Sequence, residues 1–474
     1  MRGITGWGVH LPYPRLDKSS IRAVAGTGGG TGNRTVASYD EDTTTMGAEA
    51  GRAALRGREV HPGSLWFATT EPAYADRTNA TVLHAVLRLD RTVPAYDLTG
   101  SVRSAMGALR AAWQGSGTAL VISADTRTGL PGGPDEAAGG DAAAALLIGD
   151  GAIGAEGQVL AEIVAWESVT DEFVDRWRTP GAPASRLWEE RFGEARYTEL
   201  GAEALKLALG SAAIDAAAVD HLVVAGLHDR AAAAVQRGSG VPAGRVTDRL
   251  AATVGNPGAA QPGLLLAAAL ELAAPGQYIV LLSLADGADA VVLRTTAALA
   301  SYRPYRPVAA QVAAGGPVSY GRYLHWRGML PVEPPRRPEP ARVSSPAAHR
   351  NAGWKYGFAA GLDAPGGTVH LPPTPQDEAR RPAADALGTI VTFTVDRLSY
   401  SLSPPVVFAV VDFDGGGRLP VELTDVEAGE VTIGGRVEMT FRRLATSDGI
   451  HNYFWKARPL RGAETRESGR SEEA

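Results

Sequence analysis

Apolar residues along this chain fall into two registers, and the change between them divides it. Up to about Ala300, short apolar runs alternate with longer segments whose apolar positions recur every three or four residues. Leu65-Trp66-Phe67-Ala68-Thr69-Thr70 and His221-Leu222-Val223-Val224-Ala225-Gly226-Leu227 are runs of the first kind. Met46–Leu55 and Leu200–Leu209 are segments of the second kind, and both open on Gly-Ala-Glu-Ala. Each set continues as turn, Ala-rich helix and apolar strand. Val102–Trp113 leads to Ala119–Ser123, and Pro262–Ala273 leads to Tyr278–Leu282. Short buried strands between amphipathic helices predict α/β layers. The repeated order predicts two related halves, residues 1–165 and 166–300, packed as a five-layered αβαβα sandwich. Loops at strand ends, where two such halves meet, are where side chains converge on a ligand.

Beyond Ala300 the texture changes. Residues 301–350 form a basic, Pro-rich connector that includes Glu333-Pro334-Pro335-Arg336-Arg337-Pro338-Glu339-Pro340, a stretch that cannot hold a helix. From about Gly388 the period shortens to two: Thr389–Val395, Val406–Val411 and Val437–Phe441 read as strands separated by turns such as Asp414-Gly415-Gly416-Gly417. Several short strands over residues 388–461 predict a small Greek-key β-barrel. Residues 462–474 are charged and expected to be disordered.

Composition narrows the chemistry. The 474 residues contain no cysteine, which removes disulfides, thiolate zinc sites, Fe–S clusters and thiol nucleophiles together. Nine histidines show no HxH or HExxH spacing, so no metal site is expected. The glycine run Gly26–Gly32 lacks a Gly-Lys-Ser/Thr end and follows no apolar strand, so it reads as a loop rather than a phosphate cradle. A net charge of −6 gives no reason to expect nucleic acid or an anionic membrane as partner. Neither a signal peptide nor a membrane span is apparent, and the expected location is the cytoplasm.

Particular segments then become recognisable. Gly3-Ile4-Thr5-Gly6-Trp7-Gly8, Asp40-Glu41-Asp42-Thr43-Thr44-Thr45-Met46, Ala124–Gly132 and Val254-Gly255-Asn256-Pro257 resemble archaeal and bacterial 3-hydroxy-3-methylglutaryl-CoA (HMG-CoA) synthase, within the thiolase superfamily. Trp354-Lys355-Tyr356-Gly357-Phe358, Thr368–Pro373 and Tyr453–Pro459 resemble the acyl-CoA-associated OB-fold module that normally follows a zinc ribbon. The resemblance implies a thiolase-like fold for residues 1–300 and an OB-fold for 388–461. It also implies a zinc-ribbon remnant at 351–387. There Asp363-Ala364-Pro365-Gly366 and Asp377-Glu378-Ala379-Arg380 stand where two Cys-x-x-Cys pairs belong, so no structural zinc is expected.

Carried across residue by residue, the family's acid/base glutamate falls on Glu71, its histidine on His228 and its asparagine on Asn256. In the family, the glutamate moves the proton during aldol attack, while histidine and asparagine donate hydrogen bonds to a thioester oxygen. The catalytic cysteine falls on Val102, in Ala95-Tyr96-Asp97-Leu98-Thr99-Gly100-Ser101-Val102-Arg103. Valine cannot be acylated, so the usual acyl-enzyme route is closed. Ser101 and Ser104 lie nearby, but an alcohol there needs a base. The resemblance therefore implies C–C bond formation or cleavage beside a CoA or carrier-protein thioester, without a cysteine nucleophile and without a cofactor. Steroid side-chain aldolases offer an analogy, since they pair a cysteine-less thiolase-fold subunit with the same module. The alternative is an inactive acyl-CoA-binding or scaffold subunit of a thiolase-like partner. A homodimer is implied in either case.

Overall fold

The computed structural model describes residues 1–151, 158–333, 335–364 and 366–461; the expected disordered tail, 462–474, lies outside them. The chain forms two compact units, the first from residues 1–37, 42–83 and 89–324, the second from 38–41, 84–88 and the described residues from His325 onward.

The first half of unit one begins with β1 (Gly3–His10), β2 (Pro14–Asp17), α1 (Ser19–Ala25), β3 (Asn33–Thr35), α2 (Thr43–Leu55) and β4 (Ser64–Thr69). It continues with α3 (Ala80–Val86), β5 (Ala95–Thr99), α4 (Ser104–Gln114), β6 (Ala119–Asp125), α5 (Pro134–Ala138) and β7 (Ala142–Gly149). The second half contains β8 (Ala161–Val169), β9 (Arg176–Trp177), β10 (Arg186–Leu187), α6 (Glu190–Ser211) and β11 (His221–Gly226). After these come α7 (Asp229–Gly238), α8 (Gln261–Leu272), β12 (Tyr278–Leu284) and β13 (Ala288–Thr295). The main sheet runs β11-β12-β13-β8-β1-β7-β6-β4-β5. Its halves repeat one pattern. β1 is antiparallel to β7 and β7 to β6, while β6 is parallel to β4 and β4 to β5. Likewise β8 is antiparallel to β13 and β13 to β12, while β12 is parallel to β11. Where a counterpart of β5 would follow, a single parallel bridge, Leu222 to Val246, remains. The halves join where β1 meets β8, at Gly3–Glu162 and Ile4–Ala161.

Packing follows from the sequence pattern. On α4, Ala105, Met106, Ala108, Leu109 and Ala112 join Leu264, Leu265 and Leu266 of α8 in one core cluster. That makes α4 and α8 the central layer. α8 is buried on nearly every side, which is why its sequence shows no polar face. Tyr197, Leu200 and Ala204 of α6 pack with Ala231 and Val235 of α7 on the far side of the second half. On the first half, α2 lies directly on β1: a Cβ at Gly8 would come within 2.4 Å of Ala50 O and Ala54 N. The arrangement is the thiolase-like αβαβα sandwich.

The region expected to be a plain connector starts with α9 (Val308–Ala313), β14 (Gly316–Pro317) and α10 (Tyr320–Trp326). Tertiary anchors explain the order. Gln311 donates to Val9 O and accepts from Leu11 N, both at 3.0 Å. Tyr320 donates to Glu136 at 3.0 Å, and Arg34 lies over the Tyr323 ring. β14 completes a small sheet with β2 and β3. The described part of the Pro-rich stretch Glu333–Pro340 contains no helix.

Unit two has α11 (Ser345–Arg350), α12 (Ala352–Lys355) and a small sheet of β15 (Ala359–Leu362), β16 (Val369–His370) and β17 (Ala379–Pro382). This segment stands where a zinc-ribbon remnant was expected, and its residues do not fit a zinc ion. There is no thiolate, and Asp377 spends its oxygens on His370 Nδ1 and the Thr374 N–H, both at 2.5 Å. The barrel follows: β18 (Leu387–Asp396), β19 (Val406–Phe413), β20 (Arg418–Glu422), β21 (Arg436–Ser447) and β22 (Ile450–Pro459), ordered β20-β19-β18-β21-β22. A Leu423–Ala457 bridge draws the open edges together. Phe358, Phe441 and Trp455 fill its interior.

Candidate active site

Three strand-to-helix turns of unit one bring side chains to a single cavity of about 630 Å³. β4 delivers Glu71, the β5–α4 turn delivers Val102, and the turn after β11 delivers His228. Asp125, at the end of β6, fixes the first of these. Its carboxylate accepts from Thr69 Oγ1 at 3.0 Å, Thr70 N at 2.7 Å, Thr70 Oγ1 at 2.9 Å and, from the other half, Ala259 N at 2.7 Å. Burial pushes this carboxyl above its ordinary range, against the pull of Arg127 and of those hydrogen bonds. Glu71 then projects from a braced backbone, its carbonyl accepting from Thr43 at 2.8 Å. Its carboxylate forms an ion pair with Arg178.

His228 caps α7. Its Nδ1 accepts from Ala231 N at 3.3 Å, which leaves the proton on Nε2, 3.0 Å from Glu190 O. Asn256 occupies a different place. It is 8% exposed, donates from Nδ2 to Gly226 O at 2.8 Å and accepts from Gly258 N at 3.0 Å. It borders Val102 from beneath, in a small hollow shared with Gln261 and Ser283, and is not among the residues lining the larger cavity. Of the three expected residues, Glu71 and His228 line the larger cavity, while Asn256 lines the adjoining hollow, and Val102 borders both. Glu71, Val102 and His228 share a cavity, whereas Asn256 braces Gly226 behind the valine. The cause is local: Gly226 sits at φ 148°, and Asn256 together with Gln261, which accepts from Gly226 N at 2.8 Å, holds that turn.

The chain resembles several solved structures in fold. An HMG-CoA synthase complexed with CoA superposes with a TM-score of 0.56 at 15% identity, covering 68% of this chain and 89% of that one. The HMG synthase of the curacin pathway, in complex with an acetyl donor acyl-carrier protein, also gives 0.56, at 16% identity over 69% of this chain and 88% of that one. Over 348 residues the sequence is 28% identical to the hydroxymethylglutaryl-CoA synthase of Aeropyrum pernix, spanning 70% of this chain and 95% of that protein. Residues 368–442 match the family model described as the C-terminal OB-fold domain of ChsH2. In sequence the chain is similar to HMG-CoA synthases, in fold it is thiolase-like, and it carries a C-terminal OB-fold domain of the ChsH2 type.

Within this HMG-CoA synthase-like domain, several cavity residues carried no signal in the sequence. The β9–β10 hairpin supplies Trp177, Arg178 and Leu187 as one wall. Asp175, just before it, is buried, accepts from Tyr197 Oη at 3.2 Å and is pushed upward by that burial. Ser101 donates to Asp286 at 2.7 Å, so the alcohol beside Val102 does have a carboxylate neighbour. Asp286 is exposed to solvent. Together the cavity is lined by the carboxyls of Glu71 and Asp175, the His228 imidazole and the aliphatic side chain of Val102.

Proposed function

We propose that the chain acts on acyl-CoA or acyl-carrier-protein thioesters and forms or breaks a C–C bond, in an aldol- or Claisen-type step, without a cysteine nucleophile. The observation that carries this reading is the shared cavity of Glu71, His228 and Val102. In that cavity a carboxylate and an imidazole lie beside a side chain that cannot be acylated, which supports an acid/base route without an acyl-enzyme. Glu71 takes the proton from the carbon next to the thioester carbonyl. His228 turns its Nε2–H from Glu190 O to the oxygen on which charge develops, and the resulting nucleophile adds to a second carbonyl. Run backward, the same groups cleave a β-hydroxy thioester. No step requires a metal or cofactor. The similarity to HMG-CoA synthases, and to structures holding CoA and an acyl-carrier protein, supports the substrate class.

The chain is further proposed to be a cytoplasmic homodimer. No helix among the described residues is long and apolar enough to cross a membrane. A second reading, an inactive acyl-CoA-binding or scaffold subunit for a thiolase-like partner, draws on one observation: Glu71 is already paired with Arg178, and both His228 ring nitrogens are engaged. Incubation with acetoacetyl-, malonyl- and β-hydroxyacyl-CoA, followed by mass spectrometry, separates the two. The enzyme reading expects products whose rate falls about 100-fold or more in Glu71→Gln and in His228→Ala. Thioester binding without products, together with co-purification of a thiolase-like subunit, supports the scaffold.

A further inference from the structure

Three guanidinium groups border the cavity: Arg127, Arg176 and Arg178. Two of them are neutralised. Arg176 makes a two-pronged contact with Asp135, at 2.8 and 3.0 Å from Nη1, and Arg178 pairs with Glu71 and donates to Thr70 O at 2.6 Å. Arg127 is different. Among the described residues, its one side-chain hydrogen bond is a long contact of 3.4 Å to Thr70 Oγ1, and no carboxylate lies within ion-pair distance of it. Asp125 is close, yet both its oxygens are spent on Thr69, Thr70 and Ala259. Burial pulls the Arg127 pKa downward and Asp125 pulls it back, while the flanking Arg176 and Arg178 oppose its charge.

The side chain is also held in place. Its backbone N–H donates to Asp141 at 2.7 Å and its carbonyl accepts from Arg34 at 2.7 Å. The stem runs between two glycines: a Cβ at Gly139 would meet Arg127 Cβ at 3.0 Å, and one at Gly258 would meet its Cδ at 3.1 Å. A fixed, partly buried cation with unused donors is costly unless an anion completes it. A guanidinium fork also matches a carboxylate in both geometry and charge.

We infer that Arg127 recognises an anionic group, a carboxylate on the acyl part of the thioester. The inference deepens the reading above and rests on it: it selects dicarboxylic acyl thioesters over monocarboxylic ones. Arg127 contacts Thr70, the residue before Glu71, and on the reading above that is where the acyl group reacts, so the acyl carboxylate is favoured over a phosphate of CoA.

Binding to stable CoA thioethers, which undergo no C–C chemistry, tests this by calorimetry on the full chain. S-(2-carboxyethyl)-, S-(3-carboxypropyl)- and S-(4-carboxybutyl)-CoA are compared with S-propyl-, S-butyl- and S-pentyl-CoA, and with CoA alone. At least one carboxylated ligand is expected to bind about 10-fold more tightly than its alkyl partner. That ratio is expected to fall to about one in Arg127→Gln and to an intermediate value in Arg127→Lys, which retains the charge but not the fork. Equal affinities within every pair overturn the inference, as does a preference that survives Arg127→Gln. Weaker binding of CoA alone by Arg127→Gln, to the same extent as the carboxylated ligands, assigns the contact to a phosphate and also overturns it. Because these ligands cannot react, a carboxylate preference without turnover of any thioester would retain Arg127's role while removing the reaction. Turnover without a preference would do the reverse.

Discussion

Val102 is a test of how the cavity is built, because it stands just ahead of a helix start at the cavity wall. It precedes α4 (Ser104–Gln114), where the free N–H groups and aligned peptide dipoles favour negative charge. Ser104 N donates to Ser101 O at 3.0 Å and Ala105 N to Val102 O at 3.4 Å, so the turn is closed before the helix begins. A thiol placed there is expected to ionise below its ordinary pKa of about 8.5. Val102→Cys should therefore become acetylated by acetyl-CoA and show the added mass on intact-protein spectrometry, whereas the parent chain takes up none. The variant should also react with iodoacetamide about ten times faster than free cysteine at neutral pH. A substituted thiol that is silent in both assays would place the turn out of register with the thiol-presenting turn it resembles. The same residue shows what sequence could reveal of the site. Glu71, Val102 and His228 were reached through the family resemblance, each lying two or three residues past the end of a strand. The separate placement of Asn256 was not legible, because it depends on the carbonyl of Gly226, thirty positions away.

Among the elements, β5 (Ala95–Thr99) is an edge strand beside the cavity turn. It forms the edge of the nine-stranded sheet, paired to β4 on one side alone. Tyr96 is 50% exposed on it, packed at 5.1 Å against the Trp66 ring. Edge strands of monomers are usually protected by charge or by a bulge, and the sequence Ala-Tyr-Asp-Leu-Thr carries one charge, which is already used: Asp97 accepts from Asn79 N at 2.6 Å and Ala80 N at 2.7 Å. A second copy of the chain is the expected cover. Sedimentation should give twice the monomer mass, and Tyr96→Lys should shift the population toward monomer, since a lysine on the edge opposes its own copy. A parent chain that sediments as monomer removes the homodimer. At this scale the sequence was a good guide where apolar runs were long, as in β4, β6, β11 and β12. It was poor for β9 and β10, which span two residues each and have no period to detect. It was also poor for α9 and α10, where contacts to Val9, Leu11 and Glu136 outweigh a Pro- and Arg-rich composition.

At the scale of the molecule, the second unit holds a charge network that no local pattern announces. Residues 38–41 belong to that unit although they lie far ahead of its main part in the chain. Asp40, fully buried, contacts Lys456 at 3.0 Å, Arg442 at 3.3 Å and Thr424 Oγ1 at 2.9 Å. Lys456 also reaches Glu422 at 2.5 Å, and Arg442 reaches Glu41 at 2.9 Å and Asp425 at 2.6 Å. Burial alone would raise the Asp40 carboxyl, but Lys456 and Arg442 overcome it and hold the group well below the usual carboxylate range. The sign follows. A carboxyl depressed in the folded state contributes stability that is complete above its unfolded value of about 3.9 and is lost as pH falls through the folded value. Replacing Lys456 by Met leaves Asp40 and Glu422 without their ammonium partner, a loss of about 3–5 kcal/mol near neutrality. In that variant Asp40 protonates more readily, so the deficit against the parent should narrow as pH is lowered toward 4. Denaturant unfolding of the full chain from pH 4 to 8, with hydrogen exchange read on β21 and β22, measures both effects. A deficit independent of pH would assign the loss to packing of the lysine stem rather than to charge. An effect confined to protection in unit one would place the anchor of residues 38–41 elsewhere.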